Sequence, residues 1–408
     1  MSSFAIGSNP STIHAFVPQQ TTKGTAGAGH APVADTYEPT VERRAETAAK
    51  KTRRQSAPVA NRTLLHPGRS TSSVAGVLMG AAVLLLATTA TAAPVPHSPD
   101  LYVSGFFTND VQRFHGPLSA TPGALFSAPG KTGAEYATGV ARRPWGMVFG
   151  PDGNLFVANQ QGGDGAIKRI EGPFGANPGA ALPAPGQSND VFVSAGNYLS
   201  VAIGLDQNLY AGSSSGQIQR FDIVNGSALG AFTSGHSPAS VGGLALGPDQ
   251  NLYVASFNSC VLPPNCDGTS GEILRFDGKS GAFLNTFVAN GTGGLTQPGG
   301  LAFGTNGDLF VANQYVNNGP TGQVLRFHGP LNAAAGTPFP AAGHTGALFA
   351  QLPAGLSPFN VAFGPDRTLY VTHDQGVSSF NGRSGTSITP NYASVQNARG
   401  LAFYNGAA

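Results

Sequence analysis

The chain has 408 residues, of which 57 are Gly, 31 are Pro and only 10% are charged. That mix argues against helices and for many short strands joined by tight turns, which all-β folds carry at this length as one domain. The formal charge of +2 is unevenly placed: residues 1–92 hold nine of the 22 Lys and Arg but four of the 20 Asp and Glu. The remainder is mildly acidic and excludes a broad basic surface for nucleic acid or anionic lipid.

Residues 1–72 are rich in Ala, Thr, Ser, Pro and charge and have no sustained apolar period. They cannot bury enough surface to offset ordering, so a disordered leader is expected. An apolar run from Val74 to Ala87, VAGVLMGAAVLLLA, follows Lys50, Lys51, Arg53, Arg54, Arg62 and Arg69 and precedes Ala90-Thr91-Ala92. A basic region, a short apolar core and a small-x-small site make residues 73–92 resemble a secretory signal peptide, cleaved after Ala92. The protein is then secreted or periplasmic. Left uncleaved, residues 74–93 would anchor the chain to a membrane, although the run is shorter than the ~20 apolar residues that span a bilayer comfortably.

From Asp100 the sequence is periodic. It starts in the middle of a unit, with Asp100-Leu101-Tyr102-Val103 and then Val111-Gln112-Arg113-Phe114. Complete units follow from Pro144 (PWGMVFGPDGNLFVAN, then AIKRIEG), Tyr198 (YLSVAIGLDQNLYAGS, then QIQRFD) and Val241 (VGGLALGPDQNLYVAS, then EILRFDG). Two more start at Pro298 (PGGLAFGTNGDLFVAN, then QVLRFHG) and Pro358 (PFNVAFGPDRTLYVTH, then GVSSFNG). The leucine that opens the second strand, at Leu155, Leu209, Leu252, Leu309 and Leu369, repeats at intervals of 54, 43, 57 and 60 residues. Such a period marks a repeat architecture.

Each unit reads as four antiparallel strands: an alternating first strand, a G-P-D-G type hairpin, a second strand, the I-x-R-F third strand, and a fourth such as 282–287. The chain finishes on Arg399-Gly400-Leu401-Ala402-Phe403, a first strand with nothing after it. The two ends complete one unit. The expectation is an all-β fold over residues 98–408, a six-bladed β-propeller whose terminal clasp takes the first strand of blade 1 from the C-terminus. A closed ring leaves no sheet edge to cover, so a monomer is expected.

The pattern P-x-G-L-A-F-G-P-D-G-N-L-Y-V-A followed by R-F-D-G resembles the NHL repeat and the six-bladed propellers that include the gluconolactonases and streptogramin lyases. The resemblance covers residues 98–408 and implies a hydrolase, a lyase or a plain binding platform. Gluconolactonase-like propellers hold a divalent cation with Glu, Asn and Asp at the channel, the Asp ending a Y-V-A-D type strand. Here that position carries Asn159, Asn313 and His373, with no carboxylate, so neither a metal site nor another cofactor is expected and a divalent cation in the channel lacks support. Streptogramin lyases carry W-F-T-E and P-H-G; this chain has F-V-A-N and P-F-N.

Recurring residues read as scaffold. Arg113, Arg169, Arg220, Arg275 and Arg326 share one third-strand position, held by Ser379 in the last unit, and are expected to pack their stems with paired or solvated ends. Asp152, Asp206, Asp249 and Asp366 sit where a short side chain bonds its own turn. His115 and His328 occupy a polar turn position in different blades, too far apart to share a metal. Cys260 and Cys266, in the loop CVLPPNC, read as a small-loop disulfide in an exported protein.

Ligand chemistry is expected at the channel mouth, where second-to-third strand loops and blade-to-blade connections open together. Trp145, Asn159, Ser213, Ser256, Asn313, Phe359, Asn360 and Arg399 are the candidate contacts, a polar and aromatic set suited to a neutral or mildly anionic small molecule, a glycan or a protein. His373 beside Asp374 is the candidate catalytic pair, an imidazole next to a carboxylate that serves as a general base. The function expected is an exported binding or scaffold module. The alternative is a lactonase- or lyase-type enzyme with an atypical site.

Overall fold

The structure, a computed structural model, describes residues 99–139, 142–160, 166–257, 271–314 and 322–404, which carry twenty-four short strands and one single-turn 3-10 segment at Thr292–Gly294. The expected disordered leader at 1–72, the expected signal segment at 73–92 and the expected Cys260–Cys266 disulfide lie outside the described residues.

The strands form six four-stranded antiparallel sheets, the blades of an all-β propeller. Blade 1 runs outward as β24 (Ala398–Phe403), β1 (Leu101–Gly105), β2 (Asp110–Phe114) and β3 (Glu135–Thr138). Blade 2 is β4 (Pro144–Phe149), β5 (Leu155–Asn159), β6 (Ile167–Ile170) and β7 (Val191–Val193). Blade 3 is β8 (Tyr198–Ile203), β9 (Leu209–Ser213), β10 (Ile218–Phe221) and β11 (Ala228–Ala231), and blade 4 is β12 (Val241–Leu246), β13 (Leu252–Phe257), β14 (Gly271–Phe276) and β15 (Phe283–Val288). Blade 5 is β16 (Pro298–Phe303), β17 (Leu309–Asn313), β18 (Gln323–Phe327) and β19 (Leu348–Gln351). Blade 6 is β20 (Pro358–Phe363), β21 (Leu369–His373), β22 (Gly376–Phe380) and β23 (Ser387–Ser394). The innermost strands touch in the order β4, β8, β12, β16, β20, β24 and back to β4, which closes the ring.

The turn residues do what their chemistry dictates. Asp152, Asp206 and Asp249 each accept the backbone N–H two residues on and the amide of Asn154, Asn208 or Asn251, pinning the first hairpin of the blade. In blade 5 the roles are exchanged, with Asn306 accepting from Asp308 N. The third-strand arginines divide into two groups. Arg113, Arg220 and Arg275 pair with Asp100, Asp206 and Asp249 of their own blades. Arg169 and Arg326 donate instead to the carbonyls of Leu182 and Pro183, and of Phe339 and Pro340, while a third donor of each reaches the next blade, at Val224 O and Arg383 O.

Between blades the core is aromatic. Buried Tyr102, Tyr253, Phe310 and Tyr370 on the second strands each meet the last residue of the next blade's first strand edge-on: Phe149, Phe303, Phe363 and Phe403, at centroid distances of 4.9, 4.9, 4.9 and 5.0 Å. The same four rings pack against Tyr136, Phe287, Phe349 and Tyr392 of their own blades. Edge-to-face pairs contribute about 0.5–1.5 kcal/mol each beyond area burial, so these rings hold blade to blade as well as strand to strand.

β24 pairs antiparallel with β1, with Leu101 opposite Phe403, Tyr102 opposite Ala402 and Val103 opposite Leu401. Without it β1 is an open edge and Tyr370 loses Phe403. Deleting residues 399–408 is therefore expected to abolish the cooperative thermal unfolding transition, checked by circular dichroism; a truncated protein with an unchanged melt would contradict the clasp.

Candidate functional site at the channel mouth

Strand polarity brings the second-to-third strand loops and the blade-to-blade connections to one face, where each first strand begins. Each of the six first strands carries a register shift there, with one residue more than its partner strand. The extra residue falls at Leu199, Gly242 and Phe359 in blades 3, 4 and 6, and within Trp145-Gly146, Gly299-Gly300 and Arg399-Gly400 in blades 2, 5 and 1. A bulge re-aims side chains at a sheet rim. The glycine after it is required by close approach: a Cβ on Gly400 would stand 2.2 Å from Trp145 O, and one on Gly146 2.9 Å from Leu199 O.

The bulges divide the mouth into two halves. Blades 3, 4 and 5 present Leu199, Gly242 and Gly299. Blades 6, 1 and 2 present Phe359, Arg399 and Trp145, which converge: the Arg399 guanidinium carbon lies 3.2 Å from the Phe359 ring centroid, 5.0 Å from Phe106 and 5.2 Å from Trp145. Trp145 meets Phe106 and Phe359 edge-on, at 5.5 and 6.2 Å. Arg399 also donates to Asn397 Oδ1 and stands 3.6 Å from Asp374 Oδ1. A guanidinium boxed by aromatic faces is held electrostatically by their quadrupoles.

Two hydroxyls fix this half. Thr372 Oγ1 accepts from Asn360 N at 2.9 Å and donates to Arg399 O at 2.8 Å in the next blade. Ser104 Oγ accepts from Gly400 N at 2.7 Å and donates to Trp145 O at 2.8 Å, again across a blade boundary. The same position holds Ala158, Gly212, Ala255 and Ala312 in the other blades.

Beside the box lies a hollow of about 420 Å³ lined by Phe106, Phe107, Asn109, Arg142 and Arg143. Phe107 is 57% exposed, and Arg143 stacks over Phe106 at 5.5 Å. Arg143 adopts a left-handed backbone (φ 56°), uncommon for a residue with a long side chain, with its N–H held by Asn109 Oδ1 at 2.9 Å.

The expected contacts at the ends of the second strands are placed differently. Asn313 is fully buried and its Oδ1 accepts from Thr296 N and Gln297 N while Nδ2 donates to Gly294 O, tying down the connection before β16. Ser256 Oγ accepts from Ala239 N, and Ser213 Oγ from Gln217 N. Asn159 is buried, and Asn360 Oδ1 accepts from Val361 N. The structure therefore brings together Trp145, Phe359 and Arg399 of the expected set, and engages Ser213, Ser256 and Asn313 in loop geometry.

No protein-family model matches the chain, and no curated protein matches it by sequence. Solved structures with a similar backbone include a gluconolactonase from Xanthomonas campestris, 14% identical with a TM-score of 0.43 over 71% of this chain and 83% of that one. Others are the PQQ-bound aldose sugar dehydrogenase of Streptomyces coelicolor, 20% identical with a TM-score of 0.42 over 62% of this chain and 81% of that one, and a calcium-binding protein, regucalcin, from Agrobacterium tumefaciens, 13% identical with a TM-score of 0.42 over 67% and 80%. Likeness of this size concerns architecture, and those proteins' activities remain theirs.

Among the described residues no three or more His, Cys, Asp or Glu side chains gather so as to hold a metal ion. His115 and His328 stack on Phe126 and Phe339, at 4.4 and 4.3 Å. Phe106, Phe107, Arg142 and Arg143 are the site residues that repeat reasoning misses, because they stand in connections outside the unit. The available signals are the Phe-Phe directly after β1 and the Arg-Arg directly before Pro144-Trp145.

His373 and Asp374 diverge. His373 is 1% exposed and turns into blade 6, where Nδ1 accepts the Gln375 N–H at 3.2 Å; this leaves the proton on Nε2, which donates to Ser378 Oγ at 2.9 Å. Asp374 turns to the mouth, accepting from Ser357 N at 3.2 Å. Burial lowers the His373 pKa to about 4, with the Asp374 charge opposing the shift. Between about pH 6.5 and 4 the unfolded chain then binds a proton that the folded one excludes, so stability is complete above pH 6.5 and falls as the pH drops through that window. The shift corresponds to about 3 kcal/mol at its full extent. His373→Asn, the residue blades 2 and 5 carry at this position, is expected to flatten that slope, measured by urea unfolding at pH 7, 5.5 and 4.5; a wild-type slope retained in the variant would assign it to other groups.

Proposed function

We propose that the propeller is an exported binding module that takes a mildly anionic small organic ligand on the blade 6, 1 and 2 half of the channel mouth. The observation that carries this reading is the boxed Arg399 beside the hollow of Phe106, Phe107, Arg142 and Arg143. After residue 92 the chain is acidic overall, yet among the described residues this sector gathers three guanidiniums with the exposed Phe107 and the half-buried Trp145, beside the carboxylates of Asp374 and of Asp110, the latter held by Thr108 and Gln112. Aromatic faces take the ligand's ring or apolar body, and the guanidinium edges take its anionic group. No observation on the described residues favours the lactonase- or lyase-type alternative over this reading.

Trp145 is the only Trp in the chain, so its emission reports the site directly. In a screen of neutral and carboxylated ring compounds at low salt, the carboxylated members are expected to shift or quench that emission saturably and to raise Tm. The Arg142→Gln/Arg143→Gln variant is expected to weaken them at least tenfold. Binding without any change at Trp145, or a stoichiometric divalent ion together with lactone turnover, would overturn the reading. Export rests on residues 73–92, and N-terminal sequencing of protein recovered from a secreting host is expected to begin at Ala93; a chain retained intact in the cytoplasm would refute it.

A further inference from the structure

The face opposite the mouth carries the first-to-second and third-to-fourth strand turns. There the boundary between blades 5 and 6 opens a crevice of about 380 Å³ whose lining includes Asn306, Arg326, Phe363, Asp366, Arg367 and Arg383. From this crevice we infer that the protein has a second site, which binds a small organic phosphate or sulfate ester through Arg326, Arg367 and Arg383. The inference is independent of the mouth.

The repeat supplies its own controls. In blades 3 and 4 the hairpin Asp neutralises the third-strand Arg, as Asp206 with Arg220 and Asp249 with Arg275. Blade 5 has Asn306 at that hairpin position, and its Arg326, in the same manner as Arg169 of blade 2, is bonded to neutral carbonyls, here those of Phe339, Pro340 and Arg383. Burial holds the Arg326 pKa below the ordinary guanidinium range, with Asp308 opposing the shift.

On the other wall, the turn position of Arg367 is held by Gly153, Gln207, Gln250 and Gly307 in blades 2 to 5, and that of Arg383 by Val224 and Lys279 in blades 3 and 4. Blade 6 therefore places two guanidiniums where its sister blades are mostly uncharged. Both residues are exposed, and neither guanidinium has an ion-pair partner among the described residues.

The acids nearby are already engaged. Asp366 accepts from Thr368 N at 3.2 Å and from the Tyr370 hydroxyl at 3.3 Å, and the carboxylate of Asp308, behind Arg326, accepts from Asn306 Nδ2 and Gly329 N. The exposed guanidiniums of Arg367 and Arg383 suit a tetrahedral oxyanion, which they bind through paired N–H bonds, while Arg326, whose three nitrogens already donate to carbonyls, adds its positive charge from the crevice wall. Phe363 and the two turns leave room for an organic body larger than the bare ion, since ligand cavities run from about 300 Å³ upward.

The test uses the purified full chain and calorimetric titration at low and at physiological salt, with inorganic phosphate, inorganic sulfate, a hexose phosphate, a hexose sulfate and the free hexose as probes. The esters are expected to bind saturably, more tightly than the inorganic ions, and the free hexose not to bind. The ratio of phosphate to sulfate ester affinities identifies the natural source. Arg367→Gln/Arg383→Val copies the residues that blades 3 and 4 carry at position 367 and blade 3 carries at position 383, so the fold is kept, checked by an unchanged melt. It is expected to weaken at least tenfold the ester binding that leaves Trp145 emission unchanged, whereas Arg142→Gln/Arg143→Gln at the mouth leaves that binding intact. Absence of saturable ester binding in the wild type, equal binding by the position 367/383 variant, or loss only in the mouth variant would each overturn the inference.

Discussion

The pairing of β24 with β1 is the constraint on which the rest of the molecule depends. A ring of sheets must end somewhere, and a propeller closed only by side-chain packing would leave one blade short of its inner strand, with a row of unpaired backbone groups facing water. Here backbone hydrogen bonds join the two ends of the domain across almost its whole sequence. The closing strand also carries Phe403 into the aromatic core of blade 6 and Arg399 into the channel mouth, so closure and site assembly are one event.

Around that clasp the blades are held by two devices that differ in generality. Rings of the second strands wedge against the next blade's first strand wherever the sequence puts an aromatic at both positions, which makes this contact a property of the repeat. The hydroxyl links from Ser104 and Thr372 occur only at the boundaries flanking Arg399, where they satisfy a bulge N–H and a neighbouring carbonyl together. A buried backbone group left unbonded costs free energy, so these two hydroxyls stabilise the bulged strands and set the backbone of Trp145 and Arg399 at once. Divergence between otherwise equal blades is therefore informative: it concentrates beside Arg399 on one face and beside Arg326, Arg367 and Arg383 on the other.

Much of the fold was legible because its causes are local and repeated. Leu155 and its counterparts mark the second strands, the Asp-Gly and Asp-Gln turns mark the hairpins, and the missing first strand at Asp100 matches the surplus one at Arg399. The site was only partly legible. Trp145, Phe359 and Arg399 were identifiable from their place at the start of first strands. Asn313 and Ser256 look equally ligand-facing on paper, yet they serve backbone N–H groups of connections whose path no strand pattern specifies. His373 and Asp374 illustrate strand parity: neighbours point to opposite sides, which sends the imidazole to Ser378 and the carboxylate to the mouth.

The sequence by itself determined the six blades, their turn chemistry and their closure, because period-2 alternation and Gly/Asp turns act within a few residues of one another. The tertiary structure decided which side chains reach the mouth. One additional residue in each first strand breaks the alternation there and re-aims Trp145, Phe359 and Arg399, and ring closure then sets them beside Phe106 and Arg143 from separate connections. A strand pattern carries no signal for a one-residue bulge shared by six blades, or for a cation–π box assembled from both ends of the domain.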